Sequence, residues 1–365
     1  MSRIASIAFA LCLVSLTLAC SITDASSSTD PQLPSPESNG ETTPGSSGST
    51  DTPPGTKPPG EEKGKDPPGE AKPMCPARTI VGPAGTSPVY ARVDRTGTRV
   101  VYSVTRDIAG SPPKVIWEIY EEPLCGGTPK LLVSDVRSLS FAFDEQNRLV
   151  YFTQVLIPGL YVPQLVVRTG NGTHAPFLGG CTVSNDQKLF VDVSMDGKYA
   201  LISRQQSDGD EAIHHIGANG TACGEQHASW SSGAFDGTWN IFHSATRLSW
   251  DGKRSLRAPQ PDPNCVIGTN DHSNDLRIYD FTTKQATKAT ASSECTTMDA
   301  VAWLPDNKRF LMYHAGSIYL GEMGVTAAPK KIAQTSYGHR WIDVSPDGAY
   351  FTAGAYLAPM PALPK

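Results

Sequence analysis

Two stretches of the chain, residues 208–230 and 270–275, hold the histidines and acidic side chains best suited to chemistry. Imidazole and carboxylate groups bind divalent metals and transfer protons near neutral pH. No pair in these stretches has the close, regular spacing that places two ligands on one face of a defined element. We predict that both stretches are loops, so their side chains are either solvated or brought together by the fold.

The residues from Asp271 to Asp275 also alternate oxygen-bearing side chains, as calcium-binding loops do. It lacks the central glycine and the terminal glutamate of an EF-hand loop. The similarity to a calcium loop is therefore partial.

A short turn that recurs six times organises the chain from residue 75 onward. Its clearest copy, Ser345-Pro346-Asp347-Gly348, stands between two runs rich in β-branched and aromatic residues, which are typical of strands. Proline presets the first central φ, aspartate bonds local amides, and glycine takes the left-handed conformation that closes a hairpin. The other copies are Asp94–Gly97, Phe143–Gln146, Ser194–Gly197, Ser249–Gly252 and Leu304–Asn307. Gln146 alone is poorly suited to a positive φ.

The turns recur every 41–55 residues, a period typical of the blades of a β-propeller. We therefore predict an all-β fold, a six-bladed β-propeller, over residues 75–365. The chain after the last turn is too short for two further strands. Residues 78–81 are predicted to supply the outer strand of the last blade and so to close the ring.

The turn followed by an apolar strand resembles the repeat of TolB-like and WD-type prokaryotic propellers. This resemblance covers residues 75–365 and implies a fold rather than a function, because the fold hosts binders, scaffolds and enzymes. TolB-like lyases that cleave acidic sugars hold a metal with several histidines. That resemblance would assign a divalent metal at the channel mouth to His214, His227, His272 and Asp271. Solvated loop positions are the alternative.

Other catalytic patterns are absent from the sequence. There is no Gly-x-Ser-x-Gly elbow and no phosphate-binding loop. Sialidase-type propellers carry Ser-x-Asp-x-Gly-x-x-Trp boxes, whereas Asp196-Gly197 and its equivalents place the two residues side by side. No catalytic residue is assigned.

Residues 1–19 have the features of a secretory signal peptide, with Arg3 before a short apolar run. The run ends in Leu16-Thr17-Leu18-Ala19-Cys20. This ending resembles the lipobox of bacterial lipoproteins and implies lipidation of Cys20. An ordinary signal peptide with an incidental cysteine is the alternative.

Residues 20–74 are predicted to be a disordered tether. Pro, Gly, Ser and Thr supply 34 of the 54 residues after Cys20, and no aromatic residue occurs among them. Such a composition cannot bury enough apolar surface to offset the entropy of ordering. The propeller segment is nearly neutral, with 26 basic and 27 acidic residues, so it offers no basic footprint for nucleic acid.

Cysteine usage indicates disulfide bonds, because six cysteines of an exported chain lie beyond Cys20. Pairing neighbours in the sequence gives Cys75–Cys125, Cys181–Cys223 and Cys265–Cys295. Zinc is the alternative, but no Cys-x-x-Cys or His-x-x-His spacing is present.

Together these features predict a lipid-anchored protein of the bacterial cell envelope, at the outer membrane. Its propeller is expected to be a non-catalytic module that binds a protein or glycan partner without a cofactor. The alternative is a metal-dependent, lyase-like propeller that acts on carbohydrate.

Overall fold

The structure, a computed structural model, describes most of the chain after residue 73. The described residues are 74–86, 88–108, 114–138, 140–183, 188–205, 211–217, 223, 225–230, 246–257, 276–289, 300–314, 316–325, 329–335 and 341–363. They contain 24 strands and one short 3-10 turn, Pro83–Gly85. No helix among these residues has the length and apolar content needed to span a bilayer.

The strands form six four-stranded blades. Blade 1 contains β2 (Pro88–Val93), β3 (Arg99–Ile108), β4 (Lys114–Pro123) and β5 (Lys130–Val136). Blade 2 contains β6 (Ala142–Phe143), β7 (Leu149–Ile157), β8 (Leu160–Arg168) and β9 (His174–Pro176). Blade 3 contains β10 (Lys188–Val193), β11 (Tyr199–Gln205), β12 (Glu211–Gly217) and β13 (Glu225–Trp230). Blade 4 contains β14 (Thr246–Leu248), β15 (Arg254–Arg257), β16 (Arg277–Asp280) and β17 (Gln285–Lys288). Blade 5 contains β18 (Ala300–Trp303), β19 (Arg309–His314), β20 (Ser317–Glu322) and β21 (Lys330–Gln334). Blade 6 contains β22 (Ile342–Val344), β23 (Tyr350–Ala353), β24 (Tyr356–Pro359) and β1 (Arg78–Thr79).

Each blade is an antiparallel sheet whose strands follow one another in sequence, except that β1 completes blade 6. A single residue pair, Val136 with Thr153, joins blades 1 and 2 into one eight-stranded sheet. Each of the six seams between neighbouring blades is filled by its own cluster of buried apolar side chains. The predicted all-β, six-bladed propeller is confirmed by this topology.

The six turns join the first and second strands of their blades, and one of them lies a residue later than predicted. Asn147, rather than Gln146, has the positive φ, at 60°, and its amide donates to the carbonyl of Asp144 at 3.0 Å. Phe143 ends β6 and is buried in the core, so the prediction that the turn begins there is wrong. The second turn is Asp144–Asn147, and all six turns end in glycine or asparagine with φ between 56° and 72°.

The turns form a closed ring, because each contacts the turn of the next blade. Three contacts are hydrogen bonds, from the Arg95 amide to Asn147 Oδ1 (2.9 Å), from the Met195 amide to the Trp250 carbonyl (2.7 Å) and from the Asp251 amide to Asn307 Oδ1 (3.1 Å). The other three are close approaches between a glycine and the next turn. A Cβ added at Gly97 would lie 3.3 Å from Asp347, and one added at Gly197 would lie 3.2 Å from Glu145. A Cβ added at Gly348 would lie 3.8 Å from Pro305. We call this side of the propeller the turn end and the opposite side the loop end.

The N-terminal segment closes the ring, as predicted. Arg78 and Thr79 pair with the last strand, β24, and the amide of Ile80 donates to the carbonyl of Ala355 at 2.6 Å. Arg78 also forms an ion pair of 2.6 Å with Glu122 of blade 1. A disulfide bond joins Cys75 to Cys125, so this segment is bonded to both the last and the first blade.

A second disulfide bond, Cys181–Cys223, lies at the seam between blades 2 and 3. Two of the three predicted pairings are therefore present. The third, Cys265–Cys295, lies outside the described residues, as do Cys20 and the rest of the predicted tether up to residue 73.

Side chains at equivalent turn positions repeat after every three blades. Two residues before the turn, the order is Arg92, Ala142, Asp192 and then Arg247, Ala302, Asp343. The last residue of the turn is Gly97, Asn147, Gly197 and then Gly252, Asn307, Gly348. The residue whose carbonyl accepts from the first amide of the turn is Arg99, Arg148, Tyr199 and then Arg254, Arg309, Tyr350. The two halves of the propeller are thus related by an internal, pseudo-twofold repeat.

We predict that replacing Cys75 and Cys125 by serine lowers the free energy of unfolding by about 4 kcal/mol, from the chain entropy of the loop that the bond closes. That loop spans 50 residues, and the Cys181–Cys223 loop spans 42. Serine at Cys181 and Cys223 is the matched control and should cost a similar amount. Only the first variant should selectively accelerate amide hydrogen exchange in β1 and β24. Equal exchange in the two variants would contradict a closing role for Cys75–Cys125.

Candidate functional site

Four charged side chains meet between the first strands of opposite blades. Arg92, Asp192, Arg247 and Asp343 come from β2, β10, β14 and β22, and none is more than 6% exposed. Arg92 lies 2.8 Å from Asp192 and 2.7 Å from Asp343. Arg247 lies 3.3 Å from Asp192 and also bonds Asp343. Each arginine thus bridges both aspartates, and the four form a neutral, closed ring of ion pairs that we call the axial charge ring.

The electrostatics of the axial charge ring keep Asp192 ionised. Burial pushes the pKa of Asp192 upward, but Arg247, Arg92 and the amide of Leu248, which donates at 3.1 Å, together hold this pKa below its ordinary value. Unfolded aspartate titrates near pH 4. The stability that Asp192 contributes is therefore complete above about pH 4 and is lost as the pH falls through the lower, folded pKa.

An aromatic layer packs against the axial charge ring. Phe190 of blade 3 stacks on Trp341 of blade 6, with centroids 5.2 Å apart and planes 5° from parallel. The ring of Tyr90 meets both edge-on, at 6.0 and 5.8 Å, and its hydroxyl accepts a 3.1 Å hydrogen bond from Arg247. Burial raises the pKa of Tyr90 to about 12, so the phenol stays neutral. Side chains fill the axis at this level, which directs any ligand to an end of the ring or to a seam between blades.

The loop end carries the hairpins between second and third strands and the connections between blades. Loops on a rigid scaffold supply most binding surfaces, whereas the turn end is built from tight turns. The loop end is therefore the better candidate for recognition of a large partner.

The β7–β8 hairpin presents an exposed apolar tip at the loop end. Leu156, Ile157, Leu160 and Tyr161 are 65%, 39%, 55% and 57% exposed, and Ile157 and Leu160 face each other across a two-residue turn. We call these four residues the apolar tip. The sequence signal for it is the run Val155–Tyr161, which contains no charged or amide side chain, but such a run also fits a buried strand.

The predicted metal ligands are only partly described. His214 and His227 lie in β12 and β13, the two outer strands of blade 3, so the prediction that they lie in loops is wrong. Asp271 and His272 fall outside the described residues. In the part of the chain whose side chains are described, no group of three or more His, Cys, Asp or Glu is arranged to hold a metal. The four-residue metal site stays a prediction.

The neighbouring His215 has a packing role. Its imidazole is stacked between Phe281, at 3.8 Å, and Tyr199, at 5.2 Å. Its Nε2 lies 3.0 Å from the carbonyl oxygen of Gly252. His215 therefore ties blade 3 to blade 4 rather than offering a ligand.

The strand order, the ring of turns and the closing N-terminal strand decide the fold. The chain is a six-bladed β-propeller. No family model matches the chain, and no curated protein matches it. The similarity is to solved structures and concerns the fold alone, since the identities to the three structures described below are 11–15%.

Three such structures illustrate the similarity. TolB from Acinetobacter baumannii is 15% identical with a TM-score of 0.49, over 73% of this chain and 64% of that one; the chain thus spans less than two thirds of TolB. The β-propeller domain of Cps50 (Swd1) from Myceliophteria thermophila is 13% identical with a TM-score of 0.41, over 77% and 98% of the two chains. The β-propeller domain of the Trilobed protease from Pyrococcus furiosus is 11% identical with a TM-score of 0.44, over 72% and 78%.

We predict that Asp343→Ala lowers the free energy of unfolding of the propeller by about 3–5 kcal/mol, because two buried arginines would then share one aspartate. Lys198→Ala removes an ion pair whose side chains are 64% and 45% exposed and should cost less than about 1 kcal/mol. Combining Arg92→Met with Asp343→Leu should cost less than Asp343→Ala alone, since the remaining pair stays neutral. Urea unfolding measures all three, and a cost for Asp343→Ala no larger than that for Lys198→Ala would argue against the axial charge ring.

Proposed function

We propose that this protein is a lipid-anchored binding module of the bacterial cell envelope, at the outer membrane. Cys20 carries the lipid, residues 20–74 tether the propeller, and the propeller binds a partner without catalysing a reaction. The apolar tip carries the binding part of this proposal. Clustered exposed apolar side chains on a soluble surface mark sites of interaction.

The chemistry of the apolar tip favours a protein as the partner. Leucine, isoleucine and tyrosine side chains supply the desolvated contacts at the centre of protein interfaces, and tyrosine is enriched in interface hot spots. A glycan-binding surface would need polar side chains that form hydrogen bonds with the hydroxyl groups of the sugar. We therefore commit to a protein partner with a complementary apolar recess.

The blade beneath the apolar tip is rigid. Eight successive residue pairs, from Val150–Val167 to Ile157–Leu160, hold β7 against β8. Phe152 and Leu165 below the tip are fully buried. A hairpin held in this way loses little conformational entropy on binding, which favours affinity.

The filled axis also supports a binding role. The axial charge ring and the aromatic layer occupy the place where a propeller channel would admit a small substrate. The charged groups pair with one another, and the aromatic rings stack on one another. The surface of the loop end stays accessible for recognition of a large partner.

The binding part is tested by photo-crosslinking in cells that produce the full-length protein. A photoreactive residue in place of Leu160 should give a discrete protein adduct. The same residue in place of Val325, which is 42% exposed in the turn after β20, is the matched control and should give none. Adding Leu156→Ser and Ile157→Ser should abolish the Leu160 adduct. Adducts that are identical at both positions, or absent at both, would refute a docking role for the tip.

The anchoring part is tested by metabolic labelling with a palmitate analogue, followed by membrane fractionation. The full-length protein should carry the label and sediment with membranes. Cys20→Ala should lose both properties, whereas Cys12→Ala should retain them. Retention of label by Cys20→Ala would overturn the proposed lipidation site and leave the binding proposal intact.

A further inference from the structure

A cleft of about 250 Å³ opens between blades 1 and 2 at the turn end. Its floor is apolar and consists of Val101, Leu132, Phe143 and Leu149. Four cationic side chains and one carboxylate line it, namely Arg99, Lys130, Arg148, Arg168 and Glu121. The cleft therefore combines an apolar surface with an excess of positive charge.

Three of the four cations have acidic partners. Arg99 lies 3.2 Å from the buried Asp94 and also bonds Glu121. Lys130 lies 3.3 Å from Glu121. Arg148 forms a bond of 2.6 Å with Asp144, which is buried behind it. These pairs orient the arginines and leave part of each guanidinium open, since the Arg99 and Arg148 side chains are 39% exposed.

Arg168 has no acidic partner among the described residues. It ends β8 and lies opposite His174 in β9. Burial lowers the pKa of His174, and the charge of Arg168 lowers it further. The guanidinium is near the Thr169–Thr173 turn, where a Cβ added at Gly172 would lie 3.5 Å from Nη2. An unneutralised guanidinium thus stands at the wall of the cleft.

We propose that this cleft binds a small organic anion whose carboxylate or phosphate contacts Arg168. A guanidinium presents paired N–H donors that match the oxygens of either group. Lys130 adds a second positive charge, and the apolar floor covers a compact body attached to the anion. Small-molecule pockets are usually on the order of 300–1,000 Å³, so a cleft of about 250 Å³ suits a ligand of about one ring.

This site goes beyond the proposed protein-binding function and is separate from it. The cleft lies where β7 begins, and the apolar tip lies where β7 ends, eight residues further along the strand. At about 3.3 Å per residue the two are roughly 25 Å apart. Loss of one activity should leave the other unchanged.

The internal repeat supplies a matched control. Arg309 of blade 5 occupies the position equivalent to Arg148 and pairs with Asp306 in its own turn. Across the strand pair it faces Glu322, an acid. Arg309 therefore belongs to the same kind of turn as Arg148, but it lies in blade 5 and does not line the cleft.

The test is isothermal titration of the purified protein with four probes: phenyl phosphate, benzoate, inorganic phosphate and benzyl alcohol. Phenyl phosphate or benzoate should bind with a measurable Kd, inorganic phosphate more weakly, and benzyl alcohol not at all. The stronger of the two aromatic anions shows whether the site prefers phosphate or carboxylate. Arg168→Ala should weaken that anion at least tenfold, and Arg309→Ala should leave its Kd unchanged.

Glu121→Gln provides a change in the opposite direction. It removes the one lining carboxylate and releases Arg99 and Lys130, so it should tighten anion binding several-fold. The proposal fails if neither aromatic anion binds, if benzyl alcohol binds as well as the anions, or if Arg168→Ala binds like the wild type. Melting temperatures of the unliganded variants verify that each is folded.

Discussion

Two arginines and two aspartates buried on the axis constrain the rest of this propeller. A buried charge is tolerated only when it is paired, and each of these charges pairs with one charge of the neighbouring blade and with one charge of the next blade but one. The axial charge ring can therefore form only when blades 1, 3, 4 and 6 are all in place. Apolar seams favour contact between neighbouring blades, whereas the axial charge ring depends on the whole circle.

The three-blade repeat explains how such an arrangement fits. Arginine and aspartate alternate around the axial charge ring, and alanine stands at the equivalent position of blades 2 and 5. Ala142 and Ala302 are fully buried and leave the axis to the four longer side chains. The same twofold relation places Phe190 and Trp341 in opposite blades, where they stack across the axis. A strict sixfold repeat of one residue would bring six like side chains together, which charged residues do not tolerate.

The fold could be predicted from the sequence because its strongest signals are local. The residue types of a turn indicate the backbone conformation of its own four positions, and the spacing between turns indicates the length of one blade. The pairing of residues 78–81 followed from counting strands, and the disulfide pairs Cys75–Cys125 and Cys181–Cys223 followed from proximity in sequence. The error of one residue in the second turn, which was predicted at 143–146 and lies at 144–147, also has a local cause. Phe143-Asp144 resembles the first two residues of other turns.

The candidate sites could not be predicted in the same way, because they depend on contacts between distant segments. Arg92 and Asp343 are 251 residues apart in the sequence, and each alone resembles an ordinary charged residue in a strand. The Arg-Ala-Asp order two residues before each turn becomes visible only when the second turn is placed at Asp144–Asn147. That order then suggests that the arginines and aspartates carry complementary charges. No sequence pattern indicated Arg168, because what distinguishes it is the lack of an acidic partner among the residues that the structure describes. His214 and His227 were expected in loops because strands β12 and β13 lack clear apolar alternation.

The geometry of the closing segment bears on how a tethered propeller would present its surfaces. Cys75 is bonded to Cys125, which lies between β4 and β5 at the turn end, and the chain then runs through β1 toward the loop end. Cys75 therefore lies at the turn end, the same end as the proposed anion cleft. The apolar tip lies on the other side, roughly the length of a nine-residue strand away. The closing disulfide and the proposed docking surface therefore lie at opposite ends of the propeller, so the apolar tip is not part of the contacts that close the ring.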